Sequence, residues 1–131
     1  MKQTSQPLAN KRTTKAQGDE AENQALQYLQ AQGLKLVVRN YRTPGRGGGE
    51  IDLIMRDADQ SLVFVEVRQR SQSRYGGALA SITLTKRRRI VFAARHFISR
   101  LQPLPACRFD VVVIEADGQL QWLRAAFDAQ G

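Results

Sequence analysis

The chain has 131 residues, 42% of them hydrophobic, with 20 Lys and Arg against 12 Asp and Glu and a formal net charge of +8. A chain of this length and composition predicts a single domain with its own core. No apolar run approaches the roughly 18 residues of a membrane span and the N-terminus is polar, so we expect a soluble, cytoplasmic protein. One Cys and one His exclude an intramolecular disulfide and a Cys/His zinc site. Any metal must therefore be bound by oxygen.

The positive charge is concentrated in one stretch of the chain. No acidic residue occurs between Glu66 and Asp110, and half of the 20 Lys and Arg residues fall in that interval. Such a stretch indicates a polyanionic partner. A solvated face whose counter-charges lie elsewhere in the fold is the alternative, because neighbours in sequence need not be neighbours in space.

The first residues differ in composition from the remainder. Residues 1–15 carry four cations, no acid and little apolar material, so we expect a disordered basic arm before a single domain over 16–131. Apolar residues then recur at helical spacing over 18–32, and Gly33 stands where a helix C-cap glycine is expected. The domain therefore begins with a helix.

Strand patterns and one further helix follow. In chain order they are a strand over 34–41, a flexible glycine-rich loop over 43–49, strands over 50–55 and 62–69, a second helix beginning near 83–86, a strand over 109–115 and a short strand over 119–123. The two strands over 50–55 and 62–69 are separated by a short polar segment, which predicts an antiparallel hairpin. The order α-β-β-β-α-β-β places the protein in the α/β class.

Two carboxylates interrupt the apolar pattern of that hairpin. Glu66 is in phase with an otherwise apolar strand face, and a turn centred near Asp59 places Asp52 opposite Glu66 and Glu50 opposite Arg68. Directly opposed like charges destabilise a sheet, so a cation must lie close by. That cation is either Arg68, in a structural ion-pair cluster, or a divalent metal such as Mg²⁺ or Mn²⁺, which prefers oxygen ligands.

A third carboxylate belongs to the first helix. Glu22 is aligned with Leu26 and Leu29 on the apolar face, which is an unusual position for a glutamate. Glu22 either joins the carboxylate pair or lies at the edge of the apolar stripe, where it caps a backbone group.

The second helix begins with four consecutive cations, Lys86 to Arg89. Cations near a helix N-terminus face the positive end of the helix dipole, and a bound phosphate would reverse that unfavourable interaction. Phe92 lies opposite the apolar stripe of this helix. We expect it to pack under the C-terminal segment 125–127 or at a dimer contact rather than on a nucleobase.

Five short motifs together resemble the bacterial YraN-like family. They are Gly18-x3-Glu22-x2-Ala25, Arg39-Asn40-Tyr41-Arg42, Gly49-Glu50-Ile51-Asp52-Leu53-Ile54, Val63-Phe64-Val65-Glu66-Val67-Arg68 and Arg108-Phe109-Asp110-Val111. Members of this family are regarded as predicted nucleases similar to Holliday-junction resolvases, within the PD-(D/E)XK superfamily. The resemblance covers nearly the whole chain and implies a restriction-endonuclease-like αβββαβ core, with a mixed sheet flanked by helices.

The resemblance also implies roles for individual residues. Asp52 matches the first metal-binding acid, Glu66 the acid of the E-x-K element and Glu22 the first-helix glutamate. These three acids would bind Mg²⁺ or Mn²⁺, and the carbonyl of Val67 would complete the protein ligands. Arg68 replaces the usual lysine; it can hold a phosphate oxygen but cannot act as a general base. The remaining candidates are Lys86, as the lysine nearest the scissile phosphate, and Arg70, Arg74 and Lys86 to Arg89, as nucleic-acid contacts.

These observations favour a metal-dependent endonuclease that hydrolyses phosphodiester bonds in DNA, branched DNA included. Symmetric cutting of two strands would require two sites and hence a homodimer. Two other classes stay open, namely a non-catalytic nucleic-acid-binding module that retains the nuclease fold, and a protein-interaction domain with a structural ion-pair cluster.

Overall fold

The computed structural model describes residues 14–70 and 82–129. The elements are α1 (Thr14–Ala31), β1 (Lys35–Arg42), β2 (Glu50–Arg56), β3 (Leu62–Gln69), α2 (Leu84–Ile98), β4 (Cys107–Ile114) and β5 (Leu120–Phe127). This is the predicted order of helices and strands, which is thereby confirmed.

Two boundaries differ from the prediction by four residues, and the others agree to within two. Helix α1 begins at Thr14, within the segment expected to be a disordered arm, and Lys15 forms an ion pair of 2.9 Å with Asp19 one turn later. The rest of that arm, residues 1–13, lies outside the described residues. Strand β5 continues to Phe127 because a bulge at Ala125, with a φ of 50°, absorbs an irregularity in its pairing with β4.

The strands form one mixed sheet in the order β1-β2-β3-β4-β5. Neighbouring strands are antiparallel except β3 and β4, which are parallel and are connected through α2. Pairing of β2 with β3 runs from Arg56 opposite Leu62 to Leu53 opposite Val65. This is the register that a turn centred on Asp59 requires, so the predicted hairpin and its register are confirmed.

The helices cover opposite faces of the sheet. On one face, α1 packs against alternate strand residues; this core contains Ala21, Ala25, Leu29, Leu53, Met55, Val63, Val65, Val112 and Ile114. On the other face, α2 packs against the intervening residues; this core contains Ile51, Ile54, Leu62, Phe64, Ile90, Val91, Ala93, Ala94 and Phe109. The fold is therefore the α/β arrangement with a mixed sheet flanked by helices that the motifs imply.

A buried aspartate connects the last two strands. Asp110 is 0% exposed and accepts hydrogen bonds from Nε of Arg108 (3.1 Å), Nε1 of Trp122 (3.0 Å) and the backbone N–H of Ala125 (2.9 Å). Arg108 also forms an ion pair of 2.8 Å with Asp57, in the turn between β2 and β3. The Arg-Phe-Asp motif is thus part of the fold, and its charged groups tie the β5 bulge to β4.

Asp110→Ala should destabilise the protein by about 3–5 kcal/mol, because it leaves Nε of the part-buried Arg108 and two further N–H donors, those of Trp122 and Ala125, without their acceptor. Urea unfolding followed by circular dichroism measures this change. Asp19→Ala is the matched control; it removes an exposed i,i+4 pair and should cost about 0.5 kcal/mol or less. Equal losses in the two variants would contradict the structural role of Asp110.

Candidate active site

The site lies where β2 and β3 stop pairing through their backbones. One residue beyond the Leu53–Val65 pair, the side chain of Asp52 enters the ladder, and its Oδ2 accepts the backbone N–H of Val67 at 2.8 Å. Within a strand, the N–H and C=O of one residue point to the same side. The carbonyl of Val67 therefore faces the same side of β3 as Asp52.

The carboxyl groups of Asp52 and Glu66 lie side by side, close enough to share a hydrogen bond. Glu66 is only 3% exposed, and its burial together with the charge of Asp52 raises its pKa to about 8. Burial raises the pKa of Asp52 as well, although the N–H of Val67 opposes that effect. The pair therefore binds a proton more tightly than ordinary carboxylates do, and a cation could take the place of that proton.

Cations approach the pair without forming hydrogen bonds to it. Nζ of Lys86 is 3.9 Å from Oε2 of Glu66 and 3.8 Å from Oε2 of Glu50, and Nη1 of Arg68 is 3.8 Å from Oε2 of Glu66. The other oxygen, Oε1 of Glu66, is buried and accepts no hydrogen bond from any residue in 14–70 or 82–129. An acceptor with no donor in a buried position is costly unless a further group binds it.

The donor set fits a hard divalent cation. Asp52 and Glu66 offer carboxylate oxygens, the carbonyl of Val67 faces the same side, and Oε1 of Glu66 meets no donor among the described residues. The part of the chain that the structure describes contains no group of three or more His, Cys, Asp and Glu arranged to hold a metal. Two carboxylates suit Mg²⁺ or Mn²⁺ all the same, because Mg²⁺ keeps several waters and needs few protein ligands.

Glu22 reaches this end of the sheet from α1 but is held by two residues of β1. Its carboxylate accepts a hydrogen bond from Nη2 of Arg39 at 3.5 Å. The side-chain amide nitrogen of Asn40, oriented to donate, lies 3.1 and 3.2 Å from the two carboxylate oxygens. Burial and then the charge of Asp52 raise the pKa of Glu22. The structure thus brings Glu22 near Asp52 and engages its oxygens with Arg39 and Asn40.

Asn40 and Arg39 are site residues that the reasoning from sequence did not single out. Both lie in the Arg39-Asn40-Tyr41-Arg42 motif, but nothing in their spacing pairs them with Glu22. The only local signal is the type of residue at position 40. Asn tolerates the left-handed backbone conformation, and Asn40 has a φ of 53°.

The predicted nucleic-acid contacts separate into distinct environments. Arg68, Lys86 and Arg89 line a cleft of about 320 Å³ together with Thr83 and Thr85. Arg87 lies over the ring of Phe127 at 5.8 Å, and Arg88 is exposed. Arg70 instead forms two hydrogen bonds with the carboxylate of Glu115, at 3.1 and 2.8 Å, and is largely buried. Arg74 lies outside the described residues.

The start of α2 is capped by its own chain. Oγ1 of Thr83 accepts a hydrogen bond from the backbone N–H of Lys86 at 3.1 Å. This N–H group at the helix start is therefore already bonded to a side chain and is not available to a phosphate. The cleft therefore offers an anion mainly the side chains of its basic residues.

The glycine-rich loop brings β2 against α2. Gly49 donates its N–H to Oγ1 of Thr43 at 2.9 Å, and the backbone N–H of Thr43 donates to the carbonyl of Gly49 at 3.1 Å, so the ends of the loop are joined. A Cβ on Gly49 would lie 1.9 Å from the backbone oxygen of Arg89. Only glycine permits this approach, which places Glu50 beside Lys86.

A mixed sheet between two helices, with paired acids at one end of its hairpin, defines a protein of the restriction-endonuclease-like fold. The model of the uncharacterised protein family UPF0102, the YraN family, matches residues 21–114, and the chain belongs to this family. The helices within 14–70 and 82–129 are too short or too polar to cross a membrane.

Relatives of high identity cover almost the entire chain. A UPF0102 protein of Paracidovorax citrulli is 64% identical over 92% of this chain and 89% of its own length. A UPF0102 protein of Albidiferax ferrireducens is 63% identical over 89% of this chain and 91% of its own length. A UPF0102 protein of Acidovorax sp. is 64% identical over 90% of this chain and 89% of its own length. The resemblance to the YraN-like family is therefore confirmed.

Glu66→Gln should change how stability depends on pH. The pKa of Glu66 is raised from 4.5 to about 8 in the folded protein, so the folded state holds its proton and loses stability as the pH rises between these values. Glutamine does not titrate. The stability of the variant relative to wild type should therefore increase by roughly 2–5 kcal/mol from pH 5 to pH 8.

Urea unfolding in EDTA at several pH values measures this difference. Glu20→Gln, on the exposed side of α1, is the control for replacing a glutamate. Curves for wild type and Glu66→Gln that stay parallel from pH 5 to pH 8 would show that Glu66 is not held in its protonated form.

Proposed function

We propose that this protein is a metal-dependent nuclease that hydrolyses phosphodiester bonds in DNA. The observation that supports this most is the buried Asp52–Glu66 pair at the edge of a basic cleft, with an oxygen of Glu66 that receives no donor from residues 14–70 or 82–129. Lys86 and Arg68 contribute to both features, since each lies within 4 Å of Glu66 and lines the cleft. The two acids that would bind a metal ion therefore lie next to basic side chains that would bind a phosphate.

Mg²⁺ or Mn²⁺ would be held by Asp52, Glu66 and the carbonyl of Val67. When bound, such an ion polarises the phosphate and lowers the pKa of a coordinated water, which is the chemistry that phosphodiester hydrolysis requires. Asp52 and Glu66, of which Glu66 holds a proton in its absence, would then both be stabilised in their charged forms.

The basic residues of the cleft hold and orient the phosphate. Arg68 and Arg89 can donate to its non-bridging oxygens, which spreads the charge that develops during attack. Neither guanidinium can remove a proton from water. Lys86 is fixed near Glu50 and Glu66 and directs its ammonium into the same cleft, where it donates to an oxygen of the scissile phosphate.

Glu22 is the carboxylate suited to accept a proton from water. Arg39 and Asn40 hold it in place near Asp52, and burial raises its pKa towards the range in which a carboxylate is an effective general base. This arrangement divides the work between a pair of acids that bind the cation and a third acid that handles the proton.

Specificity on this proposal comes from shape and phosphate contacts, since the cleft is lined by long basic side chains and two hydroxyl groups. A branched duplex presents phosphates from more than one strand to such a surface. A two-fold dimer would supply the two sites needed to cut two strands symmetrically.

A non-catalytic nucleic-acid-binding module is the second candidate, and Arg68 is the observation in its favour. Position 68 is where the superfamily that the chain resembles usually has a lysine, whose amine can assist the water. The basic cleft would bind phosphates equally well without any hydrolysis.

Asp52→Asn should abolish Mg²⁺- or Mn²⁺-dependent cleavage, a loss of at least about 100-fold, because it removes a ligand charge while keeping the shape of the side chain. DNA binding in EDTA should be equal or tighter, because one repulsion against phosphate is gone. Labelled branched, flapped, single-stranded and duplex substrates measure both effects. Asp117→Asn, in the exposed turn before β5, is the control and should behave as wild type.

Arg68→Lys should retain or increase the metal-dependent cleavage, because it supplies an amine beside Glu66 where the guanidinium now lies. The same substrates are used with each metal. If neither wild type nor Arg68→Lys cuts any of them, the nuclease is wrong, and binding of the same substrates in EDTA decides whether the nucleic-acid-binding module replaces it.

A further inference from the structure

Phe92 is an aromatic side chain that the fold leaves in solvent. It lies in the middle of α2 and is 54% exposed. The expected packing under the C-terminal segment 125–127 is wrong, because more than half of Phe92 remains exposed; the ring of Phe127 stacks on Phe109, with centroids 5.1 Å apart. The buried side of α2 is formed by the residues Ile90, Val91, Ala93 and Ala94. Phe92 therefore contributes little to the core that holds α2.

Basic side chains surround this ring on the outside of the helix. With 3.6 residues per turn, four neighbours lie within about 60° of Phe92 around the helix axis. These four and Phe92 form the α2 outer face, and all are exposed: Arg88, Arg89, Phe92, Arg95 and His96. Helix α2 contains no acidic residue that could neutralise them.

The composition of the α2 outer face matches one kind of ligand. Unpaired nucleotides present a flat aromatic base, which stacks on an aromatic side chain, and a phosphate, which pairs with Arg or Lys. A double-stranded segment offers the phosphates but keeps its bases stacked inside the helix. An exposed ring among three arginines therefore suits single-stranded nucleic acid better than duplex.

The α2 outer face is continuous with the proposed active site. Arg89 belongs to this face and also lines the cleft that contains Arg68 and Lys86, and its Nε donates to the carbonyl of Gly48 at 3.2 Å. Phe92 is six residues beyond Lys86, which corresponds to about 9 Å along the helix axis. A strand whose phosphate occupies the cleft can reach Phe92 within a few nucleotides.

We propose that the α2 outer face binds an unpaired segment of the DNA substrate, with one base stacked on Phe92. This inference rests on the proposed function and makes it more specific, because the substrates become DNA with unpaired nucleotides next to the scissile bond. A second copy of the chain is the other occupant to consider. Two such faces in contact would bring six arginines together without an acid on either helix, and this repulsion favours nucleic acid.

Phe92→Ala should weaken binding of a labelled oligothymidylate by roughly 5- to 150-fold, the effect of one lost base–aromatic stack, and should change binding of a fully paired duplex by about twofold or less. Fluorescence anisotropy in EDTA measures both, so no cleavage interferes. Because Phe92 is exposed, circular dichroism and thermal unfolding should be unchanged in the variant.

Two further variants separate stacking from a plain apolar contact. Phe92→Leu keeps apolar surface without an aromatic face, and its oligothymidylate affinity should fall nearly as far as that of Phe92→Ala. Phe92→Trp should restore binding, and the fluorescence of the added indole should be quenched by oligothymidylate. Wild type, whose one tryptophan is Trp122, provides the background signal.

Several results would overturn the inference. They are no binding of oligothymidylate to wild type, equal losses for duplex and oligothymidylate in Phe92→Ala, full affinity in Phe92→Leu, or a change from dimer to monomer on sedimentation of Phe92→Ala. The last would assign the α2 outer face to a second copy of the chain. Cleavage and binding are measured separately. If the protein cuts no substrate but needs Phe92 to bind single strands, only the proposed nuclease activity is contradicted, and the inference about the α2 outer face stands.

Discussion

Glu66 is 3% exposed and its carboxyl group lies against that of Asp52, so the sheet contains two acids that cannot both be charged without a compensating cation. A proton, the ammonium of Lys86, the guanidinium of Arg68 or a bound metal can supply the compensation, and of these only the metal comes from outside the chain and solvent. At 3.9 Å, Lys86 is too distant for a hydrogen bond to Glu66. The fold therefore maintains a pair of acids whose pKa values are raised by burial, and groups with perturbed pKa values cluster at functional sites.

Much of this arrangement follows from the sequence. The period of two along a strand fixes which side chains share a face, and the short polar turn around Asp59 fixes the register, so the proximity of Asp52 and Glu66 could be predicted. Tertiary contacts that leave no periodic pattern in the sequence could not be predicted. The hold of Asn40 on Glu22 depends on a left-handed residue in β1, and the extension of β5 depends on the N–H of Ala125 meeting a buried carboxylate.

The number of basic residues in a stretch of sequence does not predict which of them can bind a phosphate, because that depends on where the fold places each side chain. The basic stretch of the sequence suggested one phosphate-binding run, but each cation has its own surroundings in the fold. Arg70 is paired with Glu115 and Arg87 lies on Phe127, whereas Arg88 remains exposed. Consecutive residues on a helix point in directions 100° apart, so a run of four cannot all face one ligand. Phe92 can be recognised as a candidate binding residue only when its exposure in the fold is known.

The contact between Gly49 and the carbonyl of Arg89 has a mechanical consequence. It joins the backbone at the start of β2 directly to the backbone of α2, with no side chain between them that could change rotamer. The spacing between the strand that carries Asp52 and the helix that carries Lys86 is therefore set by backbone packing. The backbone positions of Asp52 and Lys86 are thus set during folding, before any ligand arrives, and the conformational entropy that binding removes is that of the side chains alone.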